Sequence, residues 1–182
     1  MKKLKVPYHT QRNNKRNPSG SCNVTSFAMC MNYHGVKPLV EGTQLEDELY
    51  EYMETNGLSR HEPGDLSYMA NKYPGIKSTF TPAGTFQDII KSINADNPVV
   101  LHGYFTRFGH IIVVVGYDNT GFIVHDPWGE WHSWGYENKS GANLHYSYDL
   151  IARVGSPESV DDPKNLWIHS VASTNTKKAS KK

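Results

Sequence analysis

An α+β fold is expected, with N-terminal helices packed on a mainly antiparallel sheet drawn from the second half of the chain. Three observations predict it. Apolar residues recur at helical spacing in several segments before residue 95, β-branched residues run continuously after residue 98, and two of those runs flank a short turn.

The first helix is Ser21–Gly35. Val24, Phe27, Ala28 and Met31 form an i, i+3, i+4, i+7 stripe, Ser21 is the expected N-cap and Gly35 the stop. Thr43 with Glu46 reads as a capping box ahead of Leu45, Leu49 and Tyr52. Asp65 is the expected N-cap for Leu66–Lys72, which Pro74–Gly75 ends. Thr85 opens a further helix with Phe86, Ile89, Ile90 and Ile93 on one face, and Asn97-Pro98 closes it. Val99–Phe105 reads as a strand. Ile111–Tyr117 and Phe122–Asp126 are apolar runs on either side of Asp118–Gly121, which is turn chemistry, so together they predict a β-hairpin. Leu166–Val171 reads as a closing strand and Asp161-Asp162-Pro163 as a turn.

The chain has 182 residues, enough for one good core, and the expected division is one domain over 1–172 with a disordered lysine-rich tail over 173–182. The formal net charge of +1 gives no electrostatic case for nucleic acid. No apolar run reaches the roughly 20 residues that span a bilayer. The N-terminus has lysines without an apolar core segment, so it is not a secretory signal, and synthesis in the cytoplasm is expected. There is no GxxxxGK[ST] loop, so a nucleotide motor is not expected.

The chemistry begins at Cys22. A thiol attacks as its thiolate, and a position in the first turn of a helix favours that anion. Cys30 serves as a control. It lies eight residues along the same helix, about 12 Å up the axis. A disulfide needs Cα atoms within about 7 Å, so the two cysteines cannot pair and Cys30 is core filling. His110 opens the hairpin and Asp126 ends it. Folding about Asn119–Thr120 brings them near one another, and they share a face if the sum of paired residue numbers is even. A cysteine nucleophile, a histidine base, an orienting carboxylate and an amide donor at Gln11 make up an acyl-transfer set. Taken one at a time, these residues read as a buried cysteine, an edge histidine, a loop aspartate before proline and a polar loop at Gln11–Ser21.

The segments VPYHTQ, SCNVTSFAMCMNYHG, NPVVLHGYF and GHIIVVVGYD…GFIVHDPWG resemble the papain-like cysteine peptidases related to the double-glycine leader peptidases of bacteriocin exporters. The resemblance runs from about Val6 to Gly129 and implies a papain-like cysteine peptidase fold. It implies the same catalytic roles for Cys22, His110, Asp126 and Gln11. The family usually has glycine after the nucleophile, where this sequence has Asn23, and a shorter stretch than Gln11–Cys22. Neither departure removes a catalytic group.

Trp128, Trp131 and Trp134 follow the hairpin at spacing three. They read either as a cap over the core or as a cleft wall that stacks on substrate. Trp128 and Trp131, with Asn23 and His102, are the candidate substrate-binding residues. No metal site and no cofactor are expected. There is no HExxH and no paired CxxC, and His125 and Asp126 point to opposite faces of a strand.

Three functional readings follow. The preferred one is an endolysin-type peptidoglycan endopeptidase or amidase. Lys2, Lys3, Lys5 and the lysine tail would touch anionic cell wall. The second is a protein or leader-peptide protease cutting after small residues. The third is a catalytically silent binding domain that keeps the fold.

Overall fold

The computed structural model describes residues 1–155 and 165–175. β1 (Lys2–Lys3) leads into an extended segment and two single 3-10 turns, Gln11–Asn13 and Pro18–Gly20. Three helices follow, α1 (Cys22–Tyr33), α2 (Leu45–Thr55) and α3 (Pro63–Ala70), then β2 (Ile76–Gly84) and α4 (Phe86–Asn94). The second half supplies β3 (Val99–Gly103), β4 (His110–Tyr117), β5 (Gly121–His125), the short pair β6 (Glu130–His132) and β7 (Gly135–Glu137), β8 (Leu144–Ser147), α5 (Tyr148–Val154) and β9 (Leu166–Ser173).

The main sheet has seven strands in the order β2–β9–β3–β4–β5–β8, with β1 added on β4, and every pairing is antiparallel. This is the α+β layout expected from the sequence. The N-terminal helices bury Val24, Phe27, Met31, Leu49, Met53 and Leu66. Apolar strand positions such as Val100, Ile112, Val114 and Phe122 are equally buried. β4 is buried from His110 to Gly116, which explains its continuous rather than alternating apolar run.

Local signals fared unevenly. Thr85 and Asp88 form the expected reciprocal cap of α4. Thr43 and Glu46 do not cap α2. Gln44 occupies the cap position, the Thr43 hydroxyl donates to Val40 O, and the Glu46 carboxylate is taken by His9 at 2.9 Å. Asp65 lies inside α3 rather than before it, because Pro63 starts the helix, and its carboxylate accepts the Ser59 N–H. The strand β2, the helix α5 and the β6–β7 pair carry no strong periodic signal, and local pattern does not predict them. β9 extends the closing strand to Ser173, and Thr174 N still donates to Gly75 O, so ordered structure passes the expected boundary at residue 172. The expected turn at Asp161–Pro163 and the rest of the lysine tail lie outside the described residues.

One irregularity in the hairpin matters most. Tyr117 pairs with Phe122 and Gly116 with Ile123, but Val114 pairs with Val124 and Val113 with His125. Val115 is therefore an extra residue on β4, a bulge, whose carbonyl accepts Leu4 N–H instead. The paired numbers sum to an odd value beside the turn and an even one beyond the bulge. His110 and Asp126, on that far side, fall on one face only because of this residue.

Candidate active site

Cys22 is the first residue of α1 and is half-buried. The segment before it is held tightly despite its polar composition. Asn14, buried, donates from Nδ2 to Ser21 Oγ (2.8 Å) and Thr25 Oγ1 (2.9 Å), and the Thr25 hydroxyl donates to Ser21 O. Ser21 therefore sits at the cap position, but its hydroxyl serves Asn14 and caps no helical N–H. Asn23 takes over part of that task. Its Oδ1 accepts Val24 N–H at 2.8 Å, and its Nδ2 donates to Arg60 O at 2.8 Å. Asn23 touches the cleft, yet both ends of its amide are committed inside the protein. That makes it a brace at the helix start rather than a free substrate ligand.

His110 Nε2 lies 2.7 Å from Asp126 Oδ1, and both side chains are nearly or fully buried. With Nε2 so engaged, Nδ1 is the nitrogen left to serve Cys22, which lines the same cleft. Burial opposes a charge on His110. The Asp126 carboxylate, by charge and hydrogen bond, and the Cys22 sulfur outweigh it and hold the imidazole well above its usual range.

Asp126 is fully buried and fully satisfied. Oδ1 accepts His110 and Trp128 N–H (3.0 Å), and Oδ2 accepts the phenols of Tyr136 (2.9 Å) and Tyr146 (3.2 Å). Its backbone is held as closely: Asp126 N donates to Gly141 O, and Asp126 O accepts the Tyr8 hydroxyl, which in turn accepts Gly141 N–H. A Cβ on Gly141 would fall 1.8 Å from Asp126 O, so only glycine allows this approach. Nothing in the sequence singles out Tyr136, Tyr146 or Gly141, which lie outside every motif, and Tyr8 stands inside VPYHTQ without a role of its own there. The Tyr and Gly richness of Glu130–Tyr148 was the one available signal.

Gln11 is buried. Its backbone N–H donates to Pro127 O and its Nε2 to Pro18 O at 2.8 Å, which leaves one amide hydrogen unused, while Oε1 has no partner. Arg12 next to it stacks on Trp128 at 3.9 Å and donates from Nε to Trp128 O. The segment Tyr8–Arg12 is thus clamped on Asp126–Trp128, which ties the amide donor to the loop that follows the carboxylate.

Gln11, Cys22, His110 and Trp128 share one cleft of about 630 Å3 with His102 and Trp167. Trp131, expected in its wall, does not line it. Its indole donates to Phe105 O and packs on Phe105, bracing the Tyr104–Gly109 loop from behind. Trp134 is exposed and stacks on His132. Cys30 is fully buried, and desolvation pushes its thiol far above the ordinary value. Among the described residues one group could gather around a cation, Glu130, His132 and Glu137 on β6–β7. Glu137 already pairs there with Lys139.

Residues 3–156 match the peptidase C39-like family. The chain belongs to that family. It is a cysteine peptidase with a papain-like α+β fold. Three solved structures are similar to it. A C39-like peptidase from Bacillus anthracis is 18% identical with a TM-score of 0.60, over 93% of this chain and 98% of that one. A double glycine motif protease from an AMS/PCAT transporter, solved with its leader peptide, is 16% identical with a TM-score of 0.55, over 94% of each chain. The peptidase domain of Streptococcus ComA, a bi-functional ABC transporter of a quorum sensing pathway, is 15% identical with a TM-score of 0.53, over 85% of this chain and 93% of that one. No curated protein matches the sequence. No helix among the described residues is long and apolar enough to cross a membrane.

Proposed function

We propose that this peptidase hydrolyses amide bonds with Cys22 as nucleophile, His110 as general base and acid, Asp126 as the orienting carboxylate and Gln11 as an oxyanion donor. The observation that carries the reading is the buried His110–Asp126 hydrogen bond in the cleft that Cys22 and Gln11 also line. His110 Nδ1 takes the thiol proton, and the sulfur attacks the carbonyl carbon. The developing oxyanion is met by the spare Gln11 amide hydrogen and by the Cys22 backbone N–H, which has no intrahelical acceptor at the first position of a helix. His110 then returns the proton to the leaving amine, and the amine departs as the thioester forms. In the second half-reaction His110 draws a proton from water, and the hydroxyl displaces the sulfur as a carboxylic acid forms.

On the substrate, peptidoglycan stem peptides are our first reading. No acidic side chain lines the cleft among the described residues, so a peptide carrying carboxylates near its scissile bond meets no like charge there, although the Arg60 guanidinium in its wall is already paired with Glu54 at 3.6 Å. Lys2 contributes less to a wall contact than its charge suggests, because it pairs with Asp96 at 2.9 Å. The second reading is a protein or leader peptide, favoured by the similar protease that was solved with a leader peptide. Under the first reading the protein acts at the cell wall.

The test is turbidity loss and soluble-peptide release from purified peptidoglycan, beside a capped-peptide library, for wild type and Cys22→Ala. Release from the wall that depends on Cys22 supports the first reading. Library cleavage after small residues without wall release moves the substrate to proteins. A wild-type Cys22 that resists iodoacetamide at neutral pH and cleaves neither substrate would leave a binding domain.

A further inference from the structure

Trp167 and His102 stand side by side in the cleft wall, with ring centroids 6.1 Å apart. Neither takes part in the bond-breaking steps. Each presents unusual hydrogen-bonding capacity. The indole N–H of Trp167 is buried and has no acceptor among the described residues. An unmet buried donor is costly, and native proteins seldom keep one without a use for it. The His102 ring has one nitrogen spoken for, since Nε2 lies 2.9 Å from Nε2 of His169. Its Nδ1 has no protein partner among the described residues.

The support behind this wall is firm. His169 is fully buried, its Nδ1 lies 2.9 Å from Ser67 Oγ, and Ser67 Oγ lies 3.0 Å from Ser78 Oγ. The rings of His102 and His169 are stacked, and Phe80 packs edge-on against Trp167 at 5.7 Å. Only one proton fits between two Nε2 atoms at that separation when both imidazoles are neutral. Burial lowers the His102 pKa to about 4 and pushes that of His169 lower still, so both are neutral at ordinary pH. When Nε2 of His169 carries the shared proton, Nδ1 of His102 must carry its own and becomes a second donor beside the indole.

We propose that Trp167 and His102 form a substrate subsite that donates hydrogen bonds to a main-chain carbonyl oxygen of the bound peptide, with His169 and Ser67 as positioning residues behind it. The proposal rests on the reading of this cleft as the place where a peptide is cut. It assigns Trp167 a specificity role rather than a part in bond breaking. A neutral polar wall takes a carbonyl of any residue, so it selects extended backbone more than side chain.

The variant Trp167→Phe tests it in the full chain, because it keeps an aromatic ring and removes the N–H, and the indole resonance of the unaltered Trp167 separates the lost N–H from the lost volume. A library of capped tetrapeptide amides is the substrate probe. The same peptides are titrated into Cys22→Ala protein labelled with 15N at tryptophan, the Trp167 indole resonance being assigned by its loss in Trp167→Phe. The expected result is a KM raised about three- to tenfold in Trp167→Phe, the worth of one neutral hydrogen bond, with kcat within about twofold. The Trp167 indole resonance moves on peptide binding. Ser67→Ala also raises KM, by less. A Trp167→Phe variant more stable than wild type with unchanged KM, and an indole resonance that ignores peptide, would overturn the subsite while leaving hydrolysis intact. An indole that responds to peptides that wild type never cuts would support the subsite and overturn the hydrolytic reading. Neither cleavage nor a shift would overturn both.

Discussion

His110 and His102 lie on neighbouring strands, and Gly103, next to His102, pairs with His110. Both imidazoles are largely removed from water, yet their proton affinities move in opposite directions. Burial disfavours the charged form of each. His110 has a buried carboxylate 2.7 Å away and is pushed up, while His102 has only another imidazole and falls to about 4. At similar desolvation the partner decides the sign. One pair is built for moving protons. The other is built to stay neutral.

The largest break in this comparison is Asp126→Asn. Without the carboxylate charge, burial acts on His110 with much less opposition, and its proton affinity falls below the ordinary histidine value. We expect kcat/KM to drop about 10³–10⁴-fold, the scale seen when an orienting carboxylate is neutralised. The pH dependence of Cys22 alkylation shifts with it. An unchanged alkylation profile would mean that Asp126 does not set the state of His110.

A smaller break comes from the phenols. Tyr136 donates to Asp126 Oδ2 and packs edge-on against His110 with centroids 5.5 Å apart. Tyr136→Phe keeps the ring and removes one of the two phenol bonds, with Tyr146 remaining. A kcat lowered about tenfold, at unchanged KM, corresponds to about 1.4 kcal/mol. Burial and the neighbouring Asp126 charge already hold the Tyr136 hydroxyl protonated far above its usual range, so the effect should not vary between pH 6 and 9.

The two histidine sites also leave opposite marks on stability. His102 has a folded pKa of about 4, below the unfolded value of about 6.5. Between those values the unfolded chain binds more protons. The contribution of neutral His102 is therefore full above pH 6.5 and is lost as pH falls toward 4. His110 is raised, so its contribution is full below pH 6.5 and declines as pH rises above it. Melting temperatures from pH 4.5 to 6.5 should climb with pH in wild type and climb less in His102→Phe. An identical slope in the two proteins would remove His102 from the account.

The smallest expected effect belongs to Cys30→Ala, which trims a fully buried side chain without touching the cleft. A loss of about 1 kcal/mol is the transfer scale for so small a group, with kcat/KM unchanged. A thiol reagent should titrate Cys22 in the folded protein and Cys30 only after denaturation.

The hairpin, the helix behind Cys22 and the capped start of α4 could be read locally, because each rests on short-range periodicity or a cap. β2 was hidden. It holds Gly84, Pro82 and the polar run Lys77–Thr79, and pairs with β9, about ninety residues away. The polar segment Gln11–Ser21 looked solvated, yet it is buried at Gln11, Asn14 and Ser21. Its near partners, Ser21 and Thr25, carry no periodic signal, and its far ones lie on the Asp126–Trp128 loop, which no local window contains. Trp131 and Asn23 looked like binding residues by type and position, and long-range hydrogen bonds gave them bracing work instead.

Residue type and periodicity are local properties, and they were enough for the α+β layout, the family resemblance and the four residues worth bringing together. They left the parity of the hairpin open. The folded chain settles it: Val115 bulges, His110 and Asp126 thereby share a face, and Tyr8, Tyr136, Tyr146 and Gly141 close around the carboxylate. Those contacts join residues far apart in the chain, and a single inserted residue reverses which face a strand presents.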